Sequence, residues 1–578
     1  MPSQSREGEG RWGRAGRVGP IATGVFAIAS ALVACEDANQ GDPPPVDRMF
    51  FPSGMLLDPR VAEGEEARYL FVANGNNDLS YNAGTLVSID LQRYFDAWSL
   101  GDDFTVDPYC GDDRCVQDVG SRVSDLRPCR RLALLPQVVE CTENPFIGNR
   151  RAPRLTGAEQ EQARQEGKDA SDYPEVGVGP LSFVRTGDFA TLITSSCEKP
   201  GPGRRCEAPR LWLPVRGDPS LTYVDLTGDP DGEDSAPLLD CWTETPGYDD
   251  SEESYEANRA RKRVRCDPDH RLTRLRNDAD LQELGREPYN MLISPSTRFA
   301  YVAHSDGDNL SLLDLDGIGD SGKPAIVDQS PAFPSLGGFP GGLGLAERPC
   351  SPGDNEPSIT LGCTRPLVYA AYRYSRLLVS FTVQGVEPDD PSSCAGPSET
   401  DQKGKIVCDA RVRSQTQIFT GGLDPGGNSF APVLGDIAFA DDRGDELLVV
   451  QTSPGALLKL DTSVGPDGQV VDSPSAPPLE VCDQPTRMKL YREAGQRYAL
   501  IACYVAAEIF VVDLDAFRLL TTIQLGTGPF EIEVDRARRL LYVANNLEGS
   551  ISIVDLAADR STRFTEIGRI GLQEPFSR

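Results

Sequence analysis

Along most of this chain, apolar residues come in short runs broken by glycine, proline, asparagine and aspartate. Residues 526–556, GTGPFEIEVDRARRLLYVANNLEGSISIVDL, show the pattern most clearly. Phe530, Ile532 and Val534 alternate with Glu531 and Glu533, the period of two that gives a strand two unlike faces. Two further runs, 540–544 and 550–556, are built of leucine, β-branched and aromatic residues and are bounded by turn residues. The spacing predicts three short β-strands in a row.

The triplet recurs upstream. The first copy has a proline lead-in at 52–55 and strands at 69–74 and 85–91. The second runs 190–194, 210–215 and 221–226, keeping Gly187 but with Ala190 in place of the proline. In the third, Gly285, Pro288 and Met291 precede 299–304 and 310–315; in the fourth, Gly337, Pro340 and Leu343 precede 367–371 and 377–383. The fifth, 435–440, 446–451 and 456–461, lacks a clean Gly-x-x-Pro. The sixth has Pro485 and Met488, then 498–503 and 508–514. A fourth strand is visible only at 519–525 and 565–570. Glycine and proline turn the chain from one sheet to the next, and stacked repeats bury faces that one unit alone leaves exposed.

Gly526, Pro529 and Ile532, followed by Tyr542-Val543-Ala544-Asn545 and Ile553-Val554-Asp555-Leu556, resemble the YVTN family of β-propeller repeats. The resemblance implies an all-β protein, a β-propeller over residues 49–578. Seven triplets imply seven blades, with six or eight as alternatives. Glu574-Pro575-Phe576 stops where the motif would resume at Phe51-Pro52, as a closed ring requires. Insertions at about 92–178 and 227–280, with shorter ones at 316–335 and 384–413, follow third strands. The cysteine loops 197–206 and 350–363 follow first strands. In a meander these connections share one end of the sheets, so the disulfide-rich insertions decorate one face and leave the other with short turns. A Glu/Gln/Ala-rich patch at 157–167 predicts a short helix.

The formal net charge of −31 disfavours nucleic acid and anionic headgroups as partners, and favours a cationic or neutral protein or a polysaccharide. The N-terminus differs. Arg6, Arg11, Arg14 and Arg17 precede an apolar run at 21–34 that is short for a bilayer span and ordinary for a secretory signal. It ends in Leu32-Val33-Ala34-Cys35, which resembles the bacterial lipobox. That resemblance implies a lipoprotein signal peptide at 1–34, lipidation of Cys35, and a flexible tether at 35–48. The implied address is the bacterial cell envelope, periplasmic or at the outer-membrane surface, with the membrane as a partner through the N-terminal lipid. The tether leads into the undecorated face, so that face is expected to look towards the membrane and the decorated one outward. In propellers of this kind, however, ligands often sit at the end formed by the second–third turns.

With Cys35 set aside, fourteen of the fifteen cysteines remain for an oxidising compartment. Nearest-neighbour pairing gives Cys110/Cys115, Cys129/Cys141, Cys197/Cys206, Cys241/Cys266, Cys350/Cys363, Cys394/Cys408 and Cys482/Cys503; the first four allow three arrangements. Metal chemistry has little support, since there is no Cys-x-x-Cys and the only histidines are His270 and His304. Asp229, Asp231, Glu233, Asp306 and Asp308 gather the hard oxygens that calcium prefers, without a full calcium loop. Arg216-Gly217-Asp218 spells an adhesion tripeptide but falls where a tight turn is needed. His304 stands at the asparagine position of the repeat and is expected to be a polar turn residue. No nucleophile elbow, zinc-protease helix or phosphate loop occurs, so no catalytic residue and no cofactor are assigned. The expected function is non-catalytic protein or glycan binding at the envelope. The alternatives are a lactonase-like hydrolytic propeller and a scaffold subunit of an envelope complex.

Overall fold

The computed structural model describes residues 44, 49–62, 64–100, 129–131, 137–141, 183–197, 206, 208–228, 237–242, 266–273, 283–295, 297–307, 309–316, 324–331, 342–349, 367–373, 377–384, 409–417, 433–465 and 470–571. Cys35, the signal, the tether apart from Pro44, the 157–167 helix, Glu574–Phe576, Cys110, Cys115, Cys350, Cys363, Cys394, Cys408, Asp229, Asp231, Glu233 and Asp308 lie outside the described residues.

Each YVAN-like strand is the second of its sheet, and Tyr69–Asn74, Phe299–His304, Leu367–Tyr372 and Leu540–Asn545 are buried along their whole length. They have no polar face because neighbouring sheets cover both sides. Seven sheets result, each built on an antiparallel meander, and the protein is a seven-bladed β-propeller. The innermost strands are Pro52–Leu57, Thr194–Cys197, Pro288–Ile293, Gly342–Glu347, Val433–Phe439, Pro485–Glu493 and Pro529–Asp535. Hydrophobic clusters between successive blades hold the ring. One of them packs Met55, Leu70 and Val72 of blade one against Leu540, Tyr542 and Ile553 of blade seven.

Every blade has an outer, fourth strand, including those where the sequence shows none. Blade one ends in Phe183–Thr186, after the first insertion. In blade two the outer edge is shared by Leu238–Asp240 and Arg271–Thr273, both paired with Ser220–Thr227, so the second insertion splits the strand itself. Ala325–Pro331 and Asp409–Gln417 complete blades three and four, the first inside the 316–335 insertion and the second straddling the end of the 384–413 insertion. In blade two, moreover, regular pairing of the first strand begins at Thr194; Ala190 makes only an isolated bridge to Val215.

Blade seven is larger. Val139–Cys141 of the first insertion pairs in parallel with Thr565–Ile570, and Cys129–Arg131 pairs with Val139–Cys141, giving six strands. The insertion begins with a helix, Leu91–Leu100, whose Leu91 and Tyr94 join the cluster between blades seven and one. The Tyr94 hydroxyl donates to the Val139 carbonyl at 3.4 Å. The first insertion therefore crosses the seam where the two ends of the propeller meet, rather than hanging from blade one.

Cys197–Cys206, Cys241–Cys266 and Cys482–Cys503 are disulfides, as nearest-neighbour pairing predicts. Cys141 is also disulfide-bonded, and Cys129 faces it in register.

Candidate functional site

The Gly-x-x-Pro turn has a constant local structure. The residue just before the proline position is left-handed in five blades: Phe51, Phe189, Glu287, Gln484 and Gly528 have φ between 43° and 70°. Its carbonyl accepts a hydrogen bond from the backbone N–H that follows the second strand. The pairs are Gly75 to Phe51 (3.0 Å), Arg216 to Phe189 (3.2 Å), Ser305 to Glu287 (2.9 Å), Tyr504 to Gln484 (3.4 Å) and Asn546 to Gly528 (2.8 Å). This clamp ties the lead-in of each of these five blades to its own second–third turn.

A β-bulge follows at once. The register skips between Pro52 and Gly54, Pro288 and Asn290, Gly342 and Gly344, Leu434 and Ile437, Pro485 and Met488, and Pro529 and Glu531. A bulge re-aims the side chain of the extra residue. The residues freed here are Ser53, Tyr289, Leu343, Gly435 with Asp436, Thr486 with Arg487, and Phe530. All of them line one axial cavity of about 440 Å³, joined by Phe189, Ala190, Thr191, Thr452 and the turn residues Asn77, Arg216, Ser305 and Arg373. The cavity lies at the end formed by the second–third turns.

Its wall is fixed by hydrogen bonds between blades. The Ser53 hydroxyl donates to the Ala190 carbonyl, and Thr191 Oγ1 donates to the Tyr289 carbonyl at 2.6 Å. Asn290 Nδ2 donates to Leu343 O at 2.8 Å, Thr486 Oγ1 to Phe530 O at 3.3 Å and Asn546 Nδ2 to Pro52 O at 3.1 Å. Asp436 accepts from its neighbour Ile437 N and from Met488 N of the next blade, both at 3.0 Å. With their protons committed to carbonyls, the serine and threonine oxygens are left as acceptors.

Two of the arginines that line the cavity stand against carboxylates. Arg487 Nε stands 3.0 Å from Glu531 Oε2, both buried, and its guanidinium lies 5.3 Å from the Tyr289 ring centroid. Burial opposes the charge on Arg487, but Glu531, Tyr289 and Asp436 outweigh it and hold the guanidinium above its ordinary range. Arg216 pairs with Glu287 at 2.8 Å. A hydrogen bond from Ser305, then Arg216, holds the Glu287 carboxyl below the usual carboxylate range against the effect of burial. The Arg216-Gly217-Asp218 turn is thus engaged within the ring: Asp218 pairs with Arg271 and Gly217 N donates to Asp188 O at 2.9 Å.

The histidines lie elsewhere. His304 is buried with both nitrogens engaged, Nδ1 2.9 Å from Arg286 O and Nε2 2.8 Å from Ser311 Oγ. A carbonyl can only accept, so Nδ1 carries the proton and Nε2 accepts from the serine. His270 sits on the outer side of blade two, with Nδ1 2.9 Å from Asp267 and its ring 4.8 Å from that of Tyr223. Burial lowers its pKa, but Asp225 and Asp267 more than offset this and raise it. Asp306 is exposed on a second–third turn. Among the described residues, no three His, Cys, Asp or Glu side chains converge as metal ligands.

No family model matches the chain, and no curated protein matches it. Among solved structures it is similar to the dihydro-heme d1 dehydrogenase NirN, at 13% identity and a TM-score of 0.34, over 64% of this chain and 55% of that one. A putative 6-phosphogluconolactonase from Bacteroides uniformis matches at 14% identity and 0.34, over 65% and 81%. Kuenenia stuttgartiensis hydrazine synthase matches at 12% identity and 0.42, over 90% and 99%. At these identities the likeness concerns the fold alone.

Proposed function

We propose that this propeller is a lipid-anchored binding module of the cell envelope whose ligand is a saccharide unit held in the axial cavity. One observation carries this reading: six blades bulge at the start of the first strand, and the freed side chains all line a single space. Its volume falls within the ~300–1,000 Å³ of small-molecule sites. The lining combines hydroxyl and carboxylate acceptors, the donors Arg216 and Asn77, and the aromatic rings of Phe189, Tyr289 and Phe530. Acceptors and donors around apolar ring faces suit a polyhydroxylated ring better than a fully charged or wholly apolar ligand. Anchoring through Cys35 rests on the signal-like N-terminus.

A glycan array followed by calorimetry on the hits tests the reading. Tyr289→Ala and Phe530→Ala are expected to abolish binding, and removal of residues 101–128 from the first insertion to leave it unchanged. The opposite pattern would move the binding surface to the decorated face and overturn the proposal. Turnover of a δ-lactone that Tyr289→Ala abolishes would replace binding with hydrolysis.

A further inference from the structure

The face that carries the cavity mouth is not uniform around the ring. In blades two, three and five the second–third turns carry no large apolar side chain: they are Arg216-Gly217-Asp218, Ser305-Asp306-Gly307 and Pro454-Gly455. In blades six, seven and one they present Val505, Leu547 and Leu79, which are 60%, 41% and 59% exposed. These are three of the six large hydrophobic side chains exposed among the described residues, and they occupy equivalent turns on consecutive blades. The turns are physically joined. Tyr504, beside Val505, packs its ring on Phe530 of blade seven at 6.3 Å, and Asn77 Nδ2 donates to Asn546 Oδ1 at 3.2 Å. Tyr81, in the same turn as Leu79, stacks edge-on with Phe50 at 4.9 Å.

The chain enters the ring in the middle of this arc. Met49 is buried in the cluster between blades seven and one, and its carbonyl lies against Gly549 of the blade-seven turn. Phe50 N donates to Asn74 Oδ1 at 3.3 Å, at the start of the blade-one turn. Thirteen residues separate Met49 from Cys35, a reach of at most ~50 Å.

We infer that Val505, Leu547 and Leu79 form a membrane-docking arc that inserts into the bilayer interface beside the lipid anchor. The inference rests on the anchoring reading above. Isolated leucine and valine side chains bind a bilayer weakly, but a short tether makes the encounter intramolecular and raises the effective concentration greatly. Tyr504 and Tyr81 sit beside them, and tyrosine suits the headgroup level. Because the arc spans only three of seven blades, docking tilts the disc. The turns of blades two, three and five, which have no large apolar side chain to insert, then leave the cavity mouth open to the aqueous layer. The strong net negative charge means that insertion, rather than headgroup attraction, supplies the contact.

The test uses the full-length protein on phosphatidylcholine vesicles with brominated acyl chains, which quench tryptophan at bilayer depth. Leu547→Trp and Val505→Trp are expected to lose tryptophan emission on these vesicles relative to the parent protein, and Asp306→Trp to lose none. Vesicle-bound protein in which all three behave alike overturns the arc and leaves the anchor standing. Mass spectrometry of the N-terminal peptide reads the anchor independently. Quenching at 547 without acylation of Cys35 keeps the arc and removes the anchor, and failure to associate with vesicles at all removes both. A concentration-dependent dimer that blue-shifts Leu547→Trp without vesicles would show that a second copy covers the arc, and would also overturn it.

Discussion

Gly285 lies directly beneath the imidazole of His304: a β-carbon added there would stand 2.7 Å from Cε1 and 2.8 Å from each ring nitrogen. Gly526 bears the same relation to Asn545, with 2.6 Å to Nδ2. The glycine of Gly-x-x-Pro is therefore required by contact with the last residue of the YVAN strand in these two blades. Asn545 Nδ2 donates to Ser550 Oγ at 3.0 Å and Ser552 Oγ at 2.8 Å, and in blade three His304 reaches Ser311, which holds the position of Ser552.

A pH dependence follows from that substitution. Burial lowers the His304 pKa from 6.5 to about 4, only partly offset by its hydrogen bond to Arg286 O. The unfolded chain takes up a proton below pH 6.5, whereas the folded chain does so only near pH 4. Stability attributable to the neutral imidazole is thus complete above pH 6.5 and falls as pH drops to about 4, by about 3 kcal/mol in all. Urea midpoints between pH 4 and 8 should fall more steeply on the acid side for the wild type than for His304→Asn. Parallel curves would show that the imidazole is not held neutral.

Much of the ring is legible in the sequence because the second and third strands are buried on both faces and the turns between them need particular residues. Outer strands are legible only at 519–525 and 565–570, which are of ordinary length. In blade five the edge consists of Ser473–Pro474 and Leu479–Glu480, two residues each, too short to carry a pattern. In blade two the edge strand is interrupted in the sequence itself. The helix Leu91–Leu100 did leave a signal, since Leu91, Tyr94, Phe95 and Trp98 have helical spacing. The cavity is harder to see. Phe530 belongs by period to the apolar face of its strand with Ile532, but the bulge turns it into the cavity while Glu531 is buried against Arg487. Its one trace in the sequence is the variable residue after the proline, as in Ser53, Tyr289, Thr486 and Phe530.

The Arg487–Glu531 pair offers a second measurement. Each charge is desolvated, and each is tolerable only because the other is present. Glu531→Ala leaves the guanidinium buried without its partner and should cost about 3–5 kcal/mol. Replacing both, as Arg487→Met with Glu531→Leu, should recover most of that loss in urea unfolding, because an apolar pair of similar volume has no charge to desolvate. If the single variant costs less than about 1 kcal/mol, water reaches the pair and the cavity wall is looser than described. The double variant should still fail to bind saccharide, because Arg487 lines the site.

The third expectation concerns the seam. The four meander strands of blade seven lie near the end of the chain and the inner three of blade one near its beginning, so the interface between these blades carries the closure of the ring. Asn546 Nδ2 reaches Pro52 O at 3.1 Å and Arg538 Nη1 reaches Ala67 O at 2.7 Å, but the first insertion adds a buried ring and a parallel strand to the same place. Tyr94 is fully buried there among Leu540, Ile553, Ile567 and Val139. Tyr94→Ala should cost about 3–5 kcal/mol by leaving a cavity in this cluster. The loss should also be local: with Val139–Cys141 loosened, the amides of Thr565–Ile570 lie on an open edge and should exchange hydrogen faster, while Leu367–Tyr372 in blade four keeps its protection. Faster exchange spread evenly over all blades would mean that the ring opens as one unit. The insertion would then be a passenger on blade seven rather than its clasp.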